Sequence, residues 1–192
     1  MDDLGARAVP ARNRPRRWAW WSLPFVAGLA CAASPANSPE SLERAIQANF
    51  LFKFAPFVEW PPAAFTAADK GFVICVAGDD PFGSVLNEVV RGQKVAQRPV
   101  VVRRTGAQGD PSGCQILFAG PSAAPDYAPF AATQGQPVLT VTDKGTGPAG
   151  AMIEFVRQGG HVRFQIDDGA ARANGLKISS KLLGLAIAVD RK

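Results

Sequence analysis

The chain has one histidine and three cysteines in 192 residues, and that scarcity removes most metal chemistry. A structural zinc needs four nitrogen or sulfur ligands, and His161 stands alone between Gly160 and Val162 with no ligand cluster around it. Nucleophile signatures are missing as well. There is no Gly-x-Ser-x-Gly elbow, and Ser179-Ser180-Lys181 lacks the Ser-x-x-Lys spacing of a serine–lysine pair. The glycines of Gly78 to Gly83 are not followed by Lys-Ser or Lys-Thr, so they do not form a phosphate-cradling loop. Asp79-Asp80 and Asp167-Asp168 stand where helix caps are expected. No catalytic, cofactor-binding or metal-binding residue is therefore expected. The basic pair Arg103-Arg104 is too small for a nucleic-acid footprint and has no recognition motif beside it. No apolar run reaches the roughly 20 residues of a membrane-spanning helix.

The longest such run lies at the N-terminus. Arg12, Arg14, Arg16 and Arg17 precede an apolar stretch from Trp18 to Ala30, interrupted by Ser22, Pro24 and Gly28. Small residues Ala30 to Ser34 follow. This order reads as a secretory signal peptide over residues 1–33, cleaved near Ala32 or Ala33, which would export the mature protein. Cys31 could be read as a lipidated cysteine, but Gly28 stands where a leucine usually precedes such a site. Arg16-Arg17 could open a twin-arginine signal, yet Trp18-Ala19-Trp20 fits one poorly. Cleavage takes five arginines and two aspartates with it, leaving 16 basic and 14 acidic residues. The basic character of the whole chain thus belongs largely to its leader.

Cys75 and Cys114 remain, each at an expected strand. Two cysteines in an exported chain read as one disulfide. Such a bridge would close a loop of about 39 residues and contribute about 3–4 kcal/mol in the chain-entropy model. The competing reading is two buried cysteines acting as small hydrophobes.

The mature part is of one-domain size: a flexible lead-in over 34–40, then a domain over 41–192. Phe50, Phe54, Phe57 and Trp60 recur at spacings of four, three and three, so they share one face of an expected helix that ends at Pro61-Pro62. Most of that face packs on a sheet; Trp60, at the exit, is a candidate for a half-exposed contact. Short apolar strands are expected at Phe72–Ala77, Pro99–Arg104, Gln115–Ala119 and Val138–Thr142, with short helices over Phe82–Val90 and around Asp126–Gln134. Met152–Arg157 and Val162–Ile166 alternate with period two around Gln158-Gly-Gly-His161, a β-hairpin signal. An apolar helix over Ile178–Val189 is expected to close the chain. The fold class is α/β: a single-domain sandwich with a mixed, mostly parallel sheet flanked by helices, and a C-terminal hairpin plus helix. The hairpin reads as apolar on both sides, as for a sheet covered by a helix on one side and a partner on the other. Trp60, Met152, Ile153, Phe155, Arg163 and Phe164 are accordingly the candidate partner-binding residues. The apolar helices also make a homodimer an expectation. A small-ligand sensor is the alternative, its ligand held at the turns Gly78–Pro81 and Gly120–Ser122 at the carboxyl ends of strands.

Seven landmarks occur in order from about residue 45 to the end. They are Phe57-Val-Glu-Trp-Pro61, Gly78-x-x-Pro-Phe-Gly83, Cys114 ahead of Ile-Leu-Phe, Leu139-Thr-Val-x-Asp143, Gly150-x-Met-Ile-x-Phe155, Val162-Arg-Phe-x-Ile166 and Leu176-x-Ile-Ser-Ser-Lys-Leu-Leu183. Together they make the chain resemble the exported YfiR family. The resemblance implies a non-catalytic periplasmic regulator that binds the periplasmic domain of an inner-membrane diguanylate cyclase and lowers cyclic di-GMP. It also implies an OmpA-type outer-membrane lipoprotein as a second partner, which sequesters the regulator, and redox sensitivity of disulfides. Some members carry a second cysteine pair near the glycine-rich loop before the Met-Ile strand. Here that loop reads Gly145-Thr146-Gly147, so Cys75 and Cys114 would carry any redox control alone.

Overall fold

The computed structural model describes residues 38–65, 71–107, 110–122 and 127–192. The expected signal peptide, Cys31 and Asp126 lie outside these residues. An eight-stranded mixed sheet forms the domain. Its strands are β2 (Phe72–Ala77), β3 (Lys94–Val95), β4 (Arg98–Arg104), β5 (Ile116–Ala119), β6 (Leu139–Asp143), β7 (Ile153–Gln158), β8 (His161–Asp167) and β10 (Ala188–Asp190). In space they run β10-β8-β7-β6-β5-β2-β4-β3. The centre, from β4 to β7, is parallel; β3–β4 and β7–β8 are antiparallel, and β10 returns parallel to β8. A separate ribbon pairs β1 (Val58–Glu59) with β9 (Lys177–Ile178).

Helix α1 (Pro39–Phe54) starts where the sequence supplies a cap: the Ser38 hydroxyl accepts from the Ser41 N–H, and Pro39 occupies the first turn. It ends six residues earlier than the spacing of aromatics suggests. Pro56 brings no N–H to the helical ladder, and the chain tightens into a 3-10 turn over Ala55–Phe57. Phe50 and Phe54 stay on the helix and meet Phe155 and Phe164, with ring centroids 5.2 to 6.4 Å apart. Each such pair is worth about 0.5–1.5 kcal/mol beyond burial. Trp60 lies past the helix, edge-on to Phe72 at 5.2 Å, its indole N–H donating to the Ala55 carbonyl at 3.0 Å.

The face under α1 and α2 (Ser84–Val90) carries the larger core, including Phe72, Ile74, Ile116, Phe118, Leu139, Val141, Ile153 and Phe155. The opposite face carries a smaller cluster of Cys75, Ala77, Cys114, Leu117 and Val138. Cys75 and Cys114 are bonded to each other there, both buried. Around 126–134 the described structure is one 3-10 turn, Ala131–Thr133, in place of the expected helix.

The C-terminus departs further from expectation. After α3 (Asp168–Ala173), Ile178 belongs to β9, and Ser179 caps a single turn, α4 (Ser180–Leu183). Gly184 stops it. Ile187 and Val189, β-branched and poor in helices, then follow the free edge of β8 into β10.

Candidate partner-binding groove

The hairpin turn is made of Gly159 and Gly160, both with positive φ (59° and 75°), as a two-residue type I′ turn requires. Its register sets Ile153 against Ile166 and Phe155 against Phe164. Those side chains, with Val162, all face α1 and are buried. Glu154, Val156, Arg163 and Gln165 therefore take the other face, and it is polar. The hairpin is apolar on one side, and that side is already covered. Met152, Ile153, Phe155 and Phe164 are 3%, 0%, 2% and 3% exposed, so these four expected contact residues are core of this chain and do not present a surface. Trp60 is half-buried, and Arg163 alone of the six is fully at the surface.

What does reach solvent is a second stripe on α1. Gln47, Leu51 and Phe54 face inward, while Leu42 and Ile46, one turn apart, are 65% and 38% exposed. With half-buried Phe50 and with Val162 they line a groove of about 680 Å³ that runs from the helix to the hairpin tip. His161 and Arg163 stand at its rim, and neither makes an ion pair among the described residues. Arg157, also in the groove wall, is bound to Glu43 of α1. Leu42 and Ile46 were legible only as apolar residues at helical spacing; nothing in the pattern distinguishes their stripe from the inward one.

The helix is held in place by a polar latch. Asp143, at the end of β6, accepts from Gln47 Nε2 at 2.6 Å and from Arg44 at 2.9 Å, and Arg44 also donates to Gln47 Oε1 at 3.1 Å. Gln47 is 2% exposed. Removing the carboxylate would leave a buried amide and a guanidinium short of acceptors, which gives the latch its weight.

The turns favoured for a ligand are occupied by the chain itself. Asp80 accepts from the Phe82 N–H at 2.8 Å and pairs with Arg104 at 2.6 Å. The Gly78 and Asp79 N–H groups go to the Gly106 and Pro121 carbonyls. Gly78, at φ 73°, has no room for a side chain: a Cβ would lie 2.8 Å from the Tyr127 hydroxyl. Burial, and then the Asp79 carboxylate, push the Tyr127 phenol up to about 12. Asp167 caps α3, accepting from the Ala170 N–H at 2.7 Å, and Asp168 pairs with Arg172 at 2.6 Å. Among the described residues no group of three or more His, Cys, Asp or Glu could hold a metal ion, and no helix is long and apolar enough to cross a membrane.

No curated protein matches the chain. A family model does: the YfiR/HmsC-like model matches residues 44–187, from inside α1 to the residue before β10. That span contains the latch, the bonded cysteines, the hairpin and most of the groove. The chain belongs to the YfiR/HmsC-like family.

Proposed function

We propose that this protein is a non-catalytic periplasmic regulator that docks through the α1–hairpin groove onto the periplasmic domain of an inner-membrane signalling protein. A diguanylate cyclase held inactive, with lower cyclic di-GMP as the result, is the reading that family membership favours. No cofactor and no catalytic residue enter it. Residues 1–33 serve as the export signal. An OmpA-type outer-membrane lipoprotein would compete for the regulator, and a second copy of the chain is a further candidate for the same apolar surface.

The observation that carries the reading is Leu42 and Ile46, exposed side by side above Val162 and rimmed by Arg163 and His161. Exposed apolar side chains in a concave strip mark an interaction site when they are contiguous. The test measures cyclic di-GMP formation in opened inner-membrane vesicles of the host, with and without the exported protein. The expected outcome is at least a tenfold fall in rate, abolished by Leu42→Glu with Ile46→Glu. An unchanged rate with the wild-type protein ends the cyclase reading, and light scattering of the same sample reports self-association.

A small-ligand input is the second reading, favoured by one observation. Among the described residues, a cavity of about 440 Å³ bounded by Tyr127, Phe130, Thr140, Met152 and Asn174 is lined by no charged side chain, and the buried Asn174 Oδ1 has no hydrogen-bond partner. Its occupant would be uncharged and offer a donor. Native mass spectrometry of protein released from the periplasm should then show a bound small molecule; a mass equal to the bare chain removes this reading.

A further inference from the structure

The edge of β8 is only half used. In an antiparallel hairpin the residues flanking a two-residue turn form a hydrogen-bonded pair, and the pairs alternate from there. Gln158 faces His161 across the turn. His161, Arg163, Gln165 and Asp167 therefore direct their N–H and C=O groups toward β7, and at the far end the Asp167 N–H does donate to the Met152 carbonyl at 2.8 Å. Val162, Phe164 and Ile166 direct theirs outward. β10 covers Gln165 to Asp167, and the Ile187 N–H reaches back to the Phe164 carbonyl at 3.0 Å. Among the described residues no strand pairs with the outer edge before that point. The Val162 N–H, the Val162 C=O and the Phe164 N–H form a short row of strand groups that opens beside the groove.

The two faces of that row differ in chemistry. Val162 and Phe164 point toward α1, where Leu42, Ile46 and Phe50 form an apolar wall. His161 and Arg163 point to the opposite face. A strand laid along the edge would alternate between the two, one side chain against Leu42 and Ile46 and the next beside Arg163 or His161. A docked helix would fill the wall but leave the three backbone groups unpaired.

We propose that the partner binds by strand addition: an extended segment of alternating apolar and acidic residues pairs with Val162 and Phe164, in line with β10. This rests on the groove being the partner site, and it specifies what the groove selects.

The test uses a synthetic probe, acetyl-Val-Glu-Val-Asp-Val-Glu-amide, titrated into the ¹⁵N-labelled exported protein. Saturating peptide should slow amide exchange at Val162 and Phe164 at least tenfold. The outward amides of β4 at the other end of the sheet should not change. Replacing the acids by lysine should weaken binding at least tenfold. Two peptides N-methylated at every second amide, in the two opposite phases, should differ by at least tenfold, because only one phase blocks the paired edge. Val162→Pro removes an N–H that has no partner among the described residues, and proline is tolerated on the outer edge of a strand. It should keep the circular dichroism, lower the melting temperature only through the lost packing of the buried Val162 side chain, and lose at least tenfold in peptide affinity.

No binding of the acidic peptide at millimolar concentration overturns the proposal, as do equal affinities for the two N-methylated phases. A Val162→Pro protein that binds and represses like wild type overturns strand addition alone. If Leu42→Glu with Ile46→Glu still abolishes repression in that case, the regulator reading stands without it.

Discussion

The two ends of the sheet are treated in opposite ways. At the β4 end the arginines fold back onto their own chain. Arg104 binds Asp80, Asn87 and the Gly83 carbonyl, Arg103 binds the Ser112 carbonyl and the Cys114 sulfur, and Arg98 lies 4.4 Å over the Phe65 ring. Charged side chains along an edge and a short covering strand, here β3, are common protections against unwanted strand pairing. At the β8–β10 end Leu185 and Ile187 are exposed, at 62% and 43%, beside the exposed Arg163, Asp190, Arg191 and Lys192, and among the described residues half of the β8 edge is unpaired. A protein that needed only to stay monomeric would protect both ends. Beyond Val100 the β4 edge has no paired strand among the described residues either, but arginines line it, whereas the open row of β8 adjoins the apolar groove.

The largest way to break this contrast is from inside. Phe164→Ala removes the ring that meets Phe50 at 5.6 Å and Phe54 at 5.2 Å. A buried Phe→Ala change costs about 3–5 kcal/mol, read by urea unfolding, and amide exchange at Ile187 and Val189 should accelerate before that of β2. If β10 keeps its protection, the open end does not depend on the aromatic cluster.

The closed half is tested by Cys75→Ala with Cys114→Ala. Loss of a bridge spanning 39 residues should cost about 3–4 kcal/mol in urea unfolding. Repression should persist wherever the protein remains folded, because the groove lies across the sheet from the bonded cysteines. Loss of repression in a folded double variant would tie the two ends together and revive redox control through this pair.

A smaller effect is expected at the sealed edge. Arg104 is part-exposed, so Arg104→Ala should lower stability by no more than about 1 kcal/mol and leave repression unchanged. A loss of repression there would place a partner at the β4 end and dissolve the contrast drawn above.

The smallest concerns one proton. Tyr127 is the only tyrosine, so absorbance at 295 nm reads its ionisation alone. The midpoint should fall near 12 and not near the ordinary phenol value of about 10. Because the folded-state value is raised, the stability linked to it is fully present below pH 10 and is lost as pH rises toward 12. Tyr127→Phe should remove that part of the alkaline loss. A midpoint near 10 would mean that the hydroxyl over Gly78 is open to water.

The parallel centre of the sheet was readable because Phe72–Ala77 and Gln115–Ala119 are apolar runs too short for helices. The hairpin was readable because Gln158-Gly-Gly-His161 admits few other turns. The helix end was misread because the aromatic spacing continues through Pro56, and the C-terminal strand because Leu182 to Val189 is apolar without a break that favours either period. Four of the six expected contact residues are interior for a more general reason. Alternation says that Phe155 and Arg163 lie on opposite faces; it does not say which face another element of the same chain will cover. Only the long-range placement of α1, set by Asp143 through Gln47 and Arg44, decides that Phe155 is interior and Leu42 is surface.

That latch has a consequence for the order in which the chain can assemble. It joins residues 99 apart, and the Arg157–Glu43 pair beside it joins residues 114 apart, whereas the cysteines are 39 apart. Ring closure grows costlier with loop length, and contacts distant in sequence are made late. The stretch from β2 to β5, with α1 laid against α2, can therefore organise and oxidise before the latch closes. On that order helix and hairpin are expected to meet last, and the surface that we assign to the partner to be completed in the final step of folding.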